Sequence, residues 1–234
     1  MTSRSVFTRA SKLSLGVIER NPWIDEGRLR RAAFRGAFDE GAAVTVEQDA
    51  GLNREAEAAG LLRAKRADVI QHPGGTLLEH LQRVRAQLDA WGARPALHLA
   101  GLCHAFYGTD GFPVALGSVH RREELSEVIG AEAENLVYLY AGCDRARTYP
   151  SLHQPDGAFT DRFTGSVSRP SPGHRRDFAE LTVANELDVI RTAALDESQI
   201  TELLDLFATW RSLLSAPASH AVEETAQRRI PPPA

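Results

Sequence analysis

The 234 residues suit one domain with room for an appended arm, at ~100–200 residues per domain. With 43% hydrophobic and 25% charged residues the chain matches a globular protein, and no apolar run approaches the ~20 residues that cross a bilayer. The formal charge of −4 excludes a nucleic-acid-coating surface, and two cysteines without a Cys-x-x-Cys exclude a disulfide framework and a thiolate zinc cluster. Neither nucleic acid nor membrane is therefore expected as a partner, and homo-oligomerisation stays open. No secretory h-region is present, so the expected compartment is the cytoplasm.

Leu and Ala carry the apolar content and aromatics are only 7%, which favours helices over sheet. Residues 1–18 hold Arg4, Arg9, Lys12, six Ser/Thr and no acid, the composition of a transit peptide; with nothing else pointing to an organelle, a basic arm is preferred. Helices are predicted over Leu29–Phe38 and Leu52–Ile70, weakened by Gly36, Gly51 and Gly60. Gln71-His72-Pro73-Gly74-Gly75 breaks the chain, after which Thr76 and Glu79 form a capping box. The helix that follows carries a stripe of Leu77, Leu81, Val84, Leu88 and Trp91. His80 lies about 60° from Leu77, on the edge of that stripe.

Gly92 ends this helix and Pro95 opens the next, where Ala96–Phe106 is apolar on all sides and His104 shares a face with Leu97, Ala100 and Gly101. A turn at 107–111 precedes a helix predicted over Arg122–Tyr140, whose inward face extends to Asp144. Residues 146–175 are rich in Pro and Gly and are expected to form an irregular lid or binding loop. A buried helix over Arg176–Leu195 takes Asn185 and Asp188 inward, and Ile200–Leu214 forms a last amphipathic helix. Residues 215–234 are expected to be a flexible Pro-rich tail.

Polar residues of metal-ligand type thus fall on buried faces of separate helices: His80, His104, Asp144, Asn185 and Asp188. A buried imidazole or carboxylate must be hydrogen-bonded, paired or metal-bound. Taken singly, each histidine is more often a satisfied core residue; the set on converging helices raises the case for a shared ion. Asp144-Arg145 reads first as an ion pair at a helix end, and His120-Arg121-Arg122 as a solvated cap before a phosphate clamp. Cys103 and His104 are adjacent on a helix and face different ways, which disfavours a Cys–His nucleophile. No Gly-x-Ser-x-Gly, Walker loop or dinucleotide fingerprint is present.

Thr76-Leu77-Leu78-Glu79-His80 resembles the first histidine helix of the HD-domain superfamily of all-helical metal-dependent phosphohydrolases. Leu99–Ala105 resembles the helix ending in its His-Asp pair, and Leu181–Leu187 the helix with its Ala-Asp ligand. More narrowly, His72–Thr76, His104–Thr109 and Cys143-Asp144-Arg145 resemble an uncharacterised bacterial domain-of-unknown-function branch. Two departures stand out: the His-Asp pair is His104-Ala105, and the Ala-Asp pair is Ala184-Asn185.

The resemblance implies an all-α, HD-like helical bundle over 61–214, with an N-terminal arm and helical extension over 1–60. It implies a phosphoester hydrolase that acts on a small-molecule substrate with one divalent metal, Fe or Zn, ligated by His80, His104 and Asp188. Asp144 would be a ligand or general base, Arg145 and Arg122 would bind an anion, Tyr107 and Thr109 would position substrate, and His72 would contribute from the Gly-rich turn. Two imidazoles and a carboxylate suit a single Zn²⁺ or Fe²⁺ with open positions. Two alternatives stand beside it: an iron-dependent oxygenase on the same bundle, and a metal-free binding or scaffold protein in which Ala105 and Asn185 mark lost carboxylates.

Overall fold

A computed structural model describes residues 53–228. The basic arm, the helix expected at Leu29–Phe38 and the terminal prolines lie outside the described residues. The architecture is all-α. Helix α1 (residues 53–64) buries Ala58 and Leu62 and ends well before Ile70. The break at 71–75 is a tight antiparallel hairpin, β1 (Gln71–His72) with β2 (Gly75–Thr76), its turn at Pro73-Gly74. Thr76 then caps helix α2 (Leu77–Ala90): its hydroxyl accepts from the Glu79 N–H, and its own N–H donates to Glu79 Oε2 at 2.7 Å.

Helix α3 (Pro95–Cys103) starts on its proline and packs on α2. The approach is close because residue 101 is glycine. A Cβ there would meet the Leu88 Cδ1 at 2.5 Å and the Arg85 Cα at 3.6 Å. This contact brings the faces bearing His80 and His104 together. The helix expected over 122–140 is two helices, α4 (Glu123–Ile129) and α5 (Ala131–Gly142), because Gly130 adopts a φ of +84° that ends one and turns into the other.

The stretch expected as a lid is largely tied down. Asp144 caps the short helix α6 (Arg145–Thr148), and β3 (Phe159–Thr160) pairs with β4 (Val167–Ser168). The buried Arg175 guanidinium donates to the Leu152 and Pro155 carbonyls, and the Trp210 indole donates to the Tyr149 carbonyl. Such side-chain-to-backbone bonds replace the regular ladder that a Pro- and Gly-rich segment cannot form.

Helix α7 (Pro172–Thr192), capped by Ser171, runs through the centre and contacts α2, α3 and α5. Both of its faces are buried around Asn185 and Asp188. Helix α8 (Glu197–Thr209) precedes a 3-10 turn at Arg211–Leu213, so the last predicted helix starts earlier and ends sooner than its apolar pattern suggests. The expected tail contains a further helix, α9 (Ala216–Gln227), capped by Ser215 and packed on α7 through Ala218 and Val222. Its buried stripe is made of small residues, which is why composition alone suggests a tail. Among the described residues no helix is long and apolar enough to cross a membrane.

Gly101→Val would force side-chain carbons into the space now filled by Leu88. It is expected to cost about 1–3 kcal/mol in urea unfolding, whereas the same substitution at exposed Gly60, with nothing within 4 Å of its Cβ position, should lack this overpacking penalty.

Candidate metal centre

His80 reaches the core from α2 and His104 from the end of α3; both are buried. The His80 Nδ1 lies 2.7 Å from Asp188 Oδ2, and the His104 Nδ1 lies 2.8 Å from the Gly101 carbonyl oxygen. A carbonyl accepts and never donates, and Asp188 is an ionised acceptor. Burial alone would raise its carboxyl, but hydrogen bonds from His80 and Arg83 hold it well below the usual carboxylate range. Both Nδ1 atoms therefore carry a hydrogen. In the neutral imidazole that leaves Nε2 as a bare lone pair.

The two Nε2 atoms face each other at 3.3 Å, and Asn185 Oδ1 is 3.0 Å from that of His80. The amide's orientation follows from its other end, where Nδ2 donates to Glu186 Oε1 at 3.1 Å. Three acceptors thus meet with no hydrogen between them as long as both rings are neutral. Burial, with His80 adding to it, pushes the His104 imidazole down to about 3, so this ring stays neutral over ordinary pH. The arrangement is satisfied by one positive charge at its centre, either a metal ion or a second proton on His80. Among the described residues no set of three or more His, Cys, Asp or Glu side chains is placed to hold a metal ion; here the third convergent group is an amide. Two imidazole nitrogens are ligands that zinc and iron accept, and the amide oxygen is a weaker third donor than the carboxylate such sites usually carry.

A second layer holds these groups. Asp188 meets His80 at the ring edge away from Nε2, and Arg83 occupies the same carboxylate with bonds of 2.8 and 3.0 Å. Arg83 also reaches the Gly74 and Pro73 carbonyls at 3.4 Å, tying the hairpin to the site. His72, on that hairpin, stacks on His80 with ring centroids 4.0 Å apart and meets Phe112 edge-on. Burial and the neighbouring His80 lower the His72 imidazole to about 4, so it too is neutral near pH 7. On the far side, the Tyr140 ring packs edge-on against His104.

The structure therefore brings together His72, His80, His104 and Asp188 of the residues singled out from sequence, with Arg145 one step behind through Glu186. Asn185 enters the cluster although its amide is the weakest ligand type on sequence grounds. The other residues serve other contacts. The Asp144 carboxylate accepts from the Arg147 N–H at 3.1 Å and pairs with that side chain at a helix start, whereas its neighbour Arg145, the partner expected from sequence, pairs with Glu186. The Tyr107 hydroxyl donates to Glu134, which also receives Arg122. Arg122 further bonds Asn135 and lies over the Tyr138 ring. Thr109 caps a turn by accepting from the Phe112 N–H. Glu186 had no sequence signal of its own: adjacent to Asn185 on a helix, it looks like a solvent-facing acid.

A family model described as a domain of unknown function (DUF6817) matches residues 61–145. The matched stretch contains His72, His80, His104 and Arg145 and ends before α7. No curated protein matches the chain. Among solved structures, a metazoan ortholog of SpoT, described as hydrolyzing ppGpp and playing a role in starvation responses, aligns with a TM-score of 0.49. The alignment covers 74% of this chain and 96% of that one at 11% identity.

The neutral His104 makes stability pH-dependent in the absence of any bound metal. The unfolded chain takes a proton on this histidine near 6.5, whereas the folded chain resists until about 3. Stability contributed by the neutral ring is present above 6.5 and is lost progressively as pH falls between those values. Asp188, held low, acts in the same direction only below its unfolded value near 3.8. Urea unfolding with chelator present should show midpoints falling from pH 6.5 to 4.5, with a shallower slope in His104→Phe.

Proposed function

We propose that the chain is a small-molecule enzyme with one divalent metal ion held by His80 Nε2, His104 Nε2 and Asn185 Oδ1, and that its reaction is hydrolysis of a phosphoester. The observation that carries the metal site is the meeting of three lone-pair acceptors in a buried cluster, each aimed by a bond at its other end. Metal-bound histidines are held in this way, with the second ring nitrogen donating to a carboxylate or backbone carbonyl. The reaction class rests on the resemblance of the His80, His104 and Asn185 segments to a phosphohydrolase superfamily. A bound divalent ion supplies Lewis acidity toward an anionic phosphoryl oxygen.

The protein's own groups have separable tasks in this proposal. Asp188 and the Gly101 carbonyl fix the tautomers of the two neutral imidazoles, so that the hydrogen of each sits on Nδ1 and Nε2 faces the centre. The neutral His72 ring covers one face of His80 and excludes water from it. Arg83, whose side chain is 34% exposed, and Arg191, 3.8 Å from the same Asp188 carboxylate, are cations beside the cluster that would meet an anionic substrate. Asp144, Tyr107, Thr109 and Arg122 have structural roles, given the partners described above.

A metal-free binding protein is the second reading, and one observation favours it. With a second proton, His80 could donate to Asn185 Oδ1 at 3.0 Å while still donating to Asp188, which satisfies the cluster with no ion.

The deciding experiment is elemental analysis of untagged protein purified without chelator, beside a His80→Ala/His104→Ala double variant. About one equivalent of zinc or iron, lost in the double variant, is expected; metal absent from both after reconstitution would leave the binding-protein reading. Release of inorganic phosphate from a panel of phosphomonoesters then tests the reaction. With an iron-loaded protein, oxygen consumption without phosphate release would favour the oxygenase instead. Asp188→Asn separates ligand from support. As a support residue it should weaken metal affinity by about 10–100-fold and leave the stoichiometry unchanged, whereas loss of stoichiometric binding would make Asp188 a ligand.

A further inference from the structure

Asparagine is an unusual choice at a cation site because its two ends have nearly the same shape. Only the oxygen presents a lone pair; the NH₂ end would aim hydrogens at whatever cation sits there. A carboxylate has no such ambiguity. An amide therefore works at this position only if something decides which way it points.

We infer that Glu186, held in place by Arg145, is the positioning residue that fixes the polarity of the Asn185 amide; this rests on the reading of the cluster as a metal centre. Glu186 Oε1 accepts from Asn185 Nδ2 at 3.1 Å and from Arg145 Nη1 at 2.9 Å. An ionised carboxylate accepts only, so the flipped amide would set two oxygens against each other in a buried site. The Glu186 side chain is 9% exposed and that of Arg145 12%, which leaves little water to screen such a clash. Arg145 is itself anchored. Its backbone N–H donates to Asp110, its Nη2 donates to the Tyr140 hydroxyl, and its guanidinium lies 5.8 Å from the centre of the Tyr149 ring.

The chain of support thus runs from the start of α6 through α7 to the imidazole pair. It explains why a buried ion pair sits beside the cluster without touching either histidine in the bonds it makes. It also gives the Arg145 position a role other than anion binding.

A double-mutant cycle tests this. Zinc affinity is measured against a competing chelator for the wild type, Glu186→Met, Asn185→Asp and the double variant, with the visible spectrum of the cobalt-loaded forms as a coordination signature. Glu186→Met is expected to weaken zinc about tenfold where residue 185 is Asn and to alter the cobalt spectrum. In the Asn185→Asp background the same substitution should have no weakening effect, because a carboxylate presents an oxygen either way. Glu186→Gln, which can still accept from Asn185, should restore most of the affinity. Equal weakening in both backgrounds would mean that Glu186 only supports the fold and would overturn the inference. Unchanged affinity in Glu186→Met, or in Asn185→Ala, would overturn it too while leaving the two histidines as ligands. Zinc binding that is absent from the wild type, or that survives His80→Ala/His104→Ala, would remove the metal reading itself and this inference with it. Should Glu186→Met fail to fold, the wild type still decides: the Asn185 side-chain NH₂ protons should exchange slowly with solvent, and rapid exchange would count against the lock.

Discussion

Two imidazole nitrogens 3.3 Å apart, both without hydrogens whenever the rings are neutral because the bond at the opposite edge of each ring takes its hydrogen, are the constraint around which the core is organised. Bare lone pairs in a low-dielectric interior repel one another, and burying polar atoms without partners costs free energy. The surrounding groups do not relieve this repulsion. They enforce it, since Asp188 and the Gly101 carbonyl each take the hydrogen that could have separated the nitrogens. A cluster built in this way is a receptor for positive charge.

The fold meets the constraint through close helix packing. Gly101 does two jobs: its missing side chain lets α3 settle against Leu88 of α2, and its carbonyl orients His104. Helix α7 brings Asn185, Glu186 and Asp188 to the same region, which requires a helix buried on both faces. The hairpin at 71–76 closes the arrangement by stacking His72 on His80, and Arg83 fastens that hairpin to the carboxylate behind the ring. Site and scaffold therefore share residues, and few of the buried polar groups in this part of the core are there for packing alone.

Much of the fold is legible in the sequence because it is written in local signals. The Thr76–Glu79 capping box, Pro95 at a helix start and the apolar stripe of α2 are decided within a few residues of themselves. What escapes is decided elsewhere. Helix α9 has a buried face of small residues that only its contact with α7 makes meaningful. Gly130 divides a continuous helical pattern because of its backbone angle, which composition does not reveal. At the site, the burial of His80 and His104 follows from periodicity, but the division of labour among Asn185, Glu186 and Asp188 does not. It depends on which edge of a ring each group meets, and residues about a hundred positions apart set that geometry. Asp144 shows the converse: its spacing extends an apolar face, yet it lies beyond the end of α5 and caps the next helix.

The groups around the cluster carry no net negative charge before any ion arrives. Asp188 faces Arg83 and, at 3.8 Å, Arg191; Glu186 is paired with Arg145; and the three converging groups are neutral when both rings are unprotonated. Many metal sites contain a carboxylate among their ligands, and part of the cation's charge is cancelled where it sits. Here a divalent cation would keep its whole charge and project it along whatever path leads out of the core. Loading would add to the positive potential that Arg83 and Arg191 already supply on that side of the cluster. Binding of the ion and recruitment of an anion would then be successive steps, the first strengthening the field that drives the second.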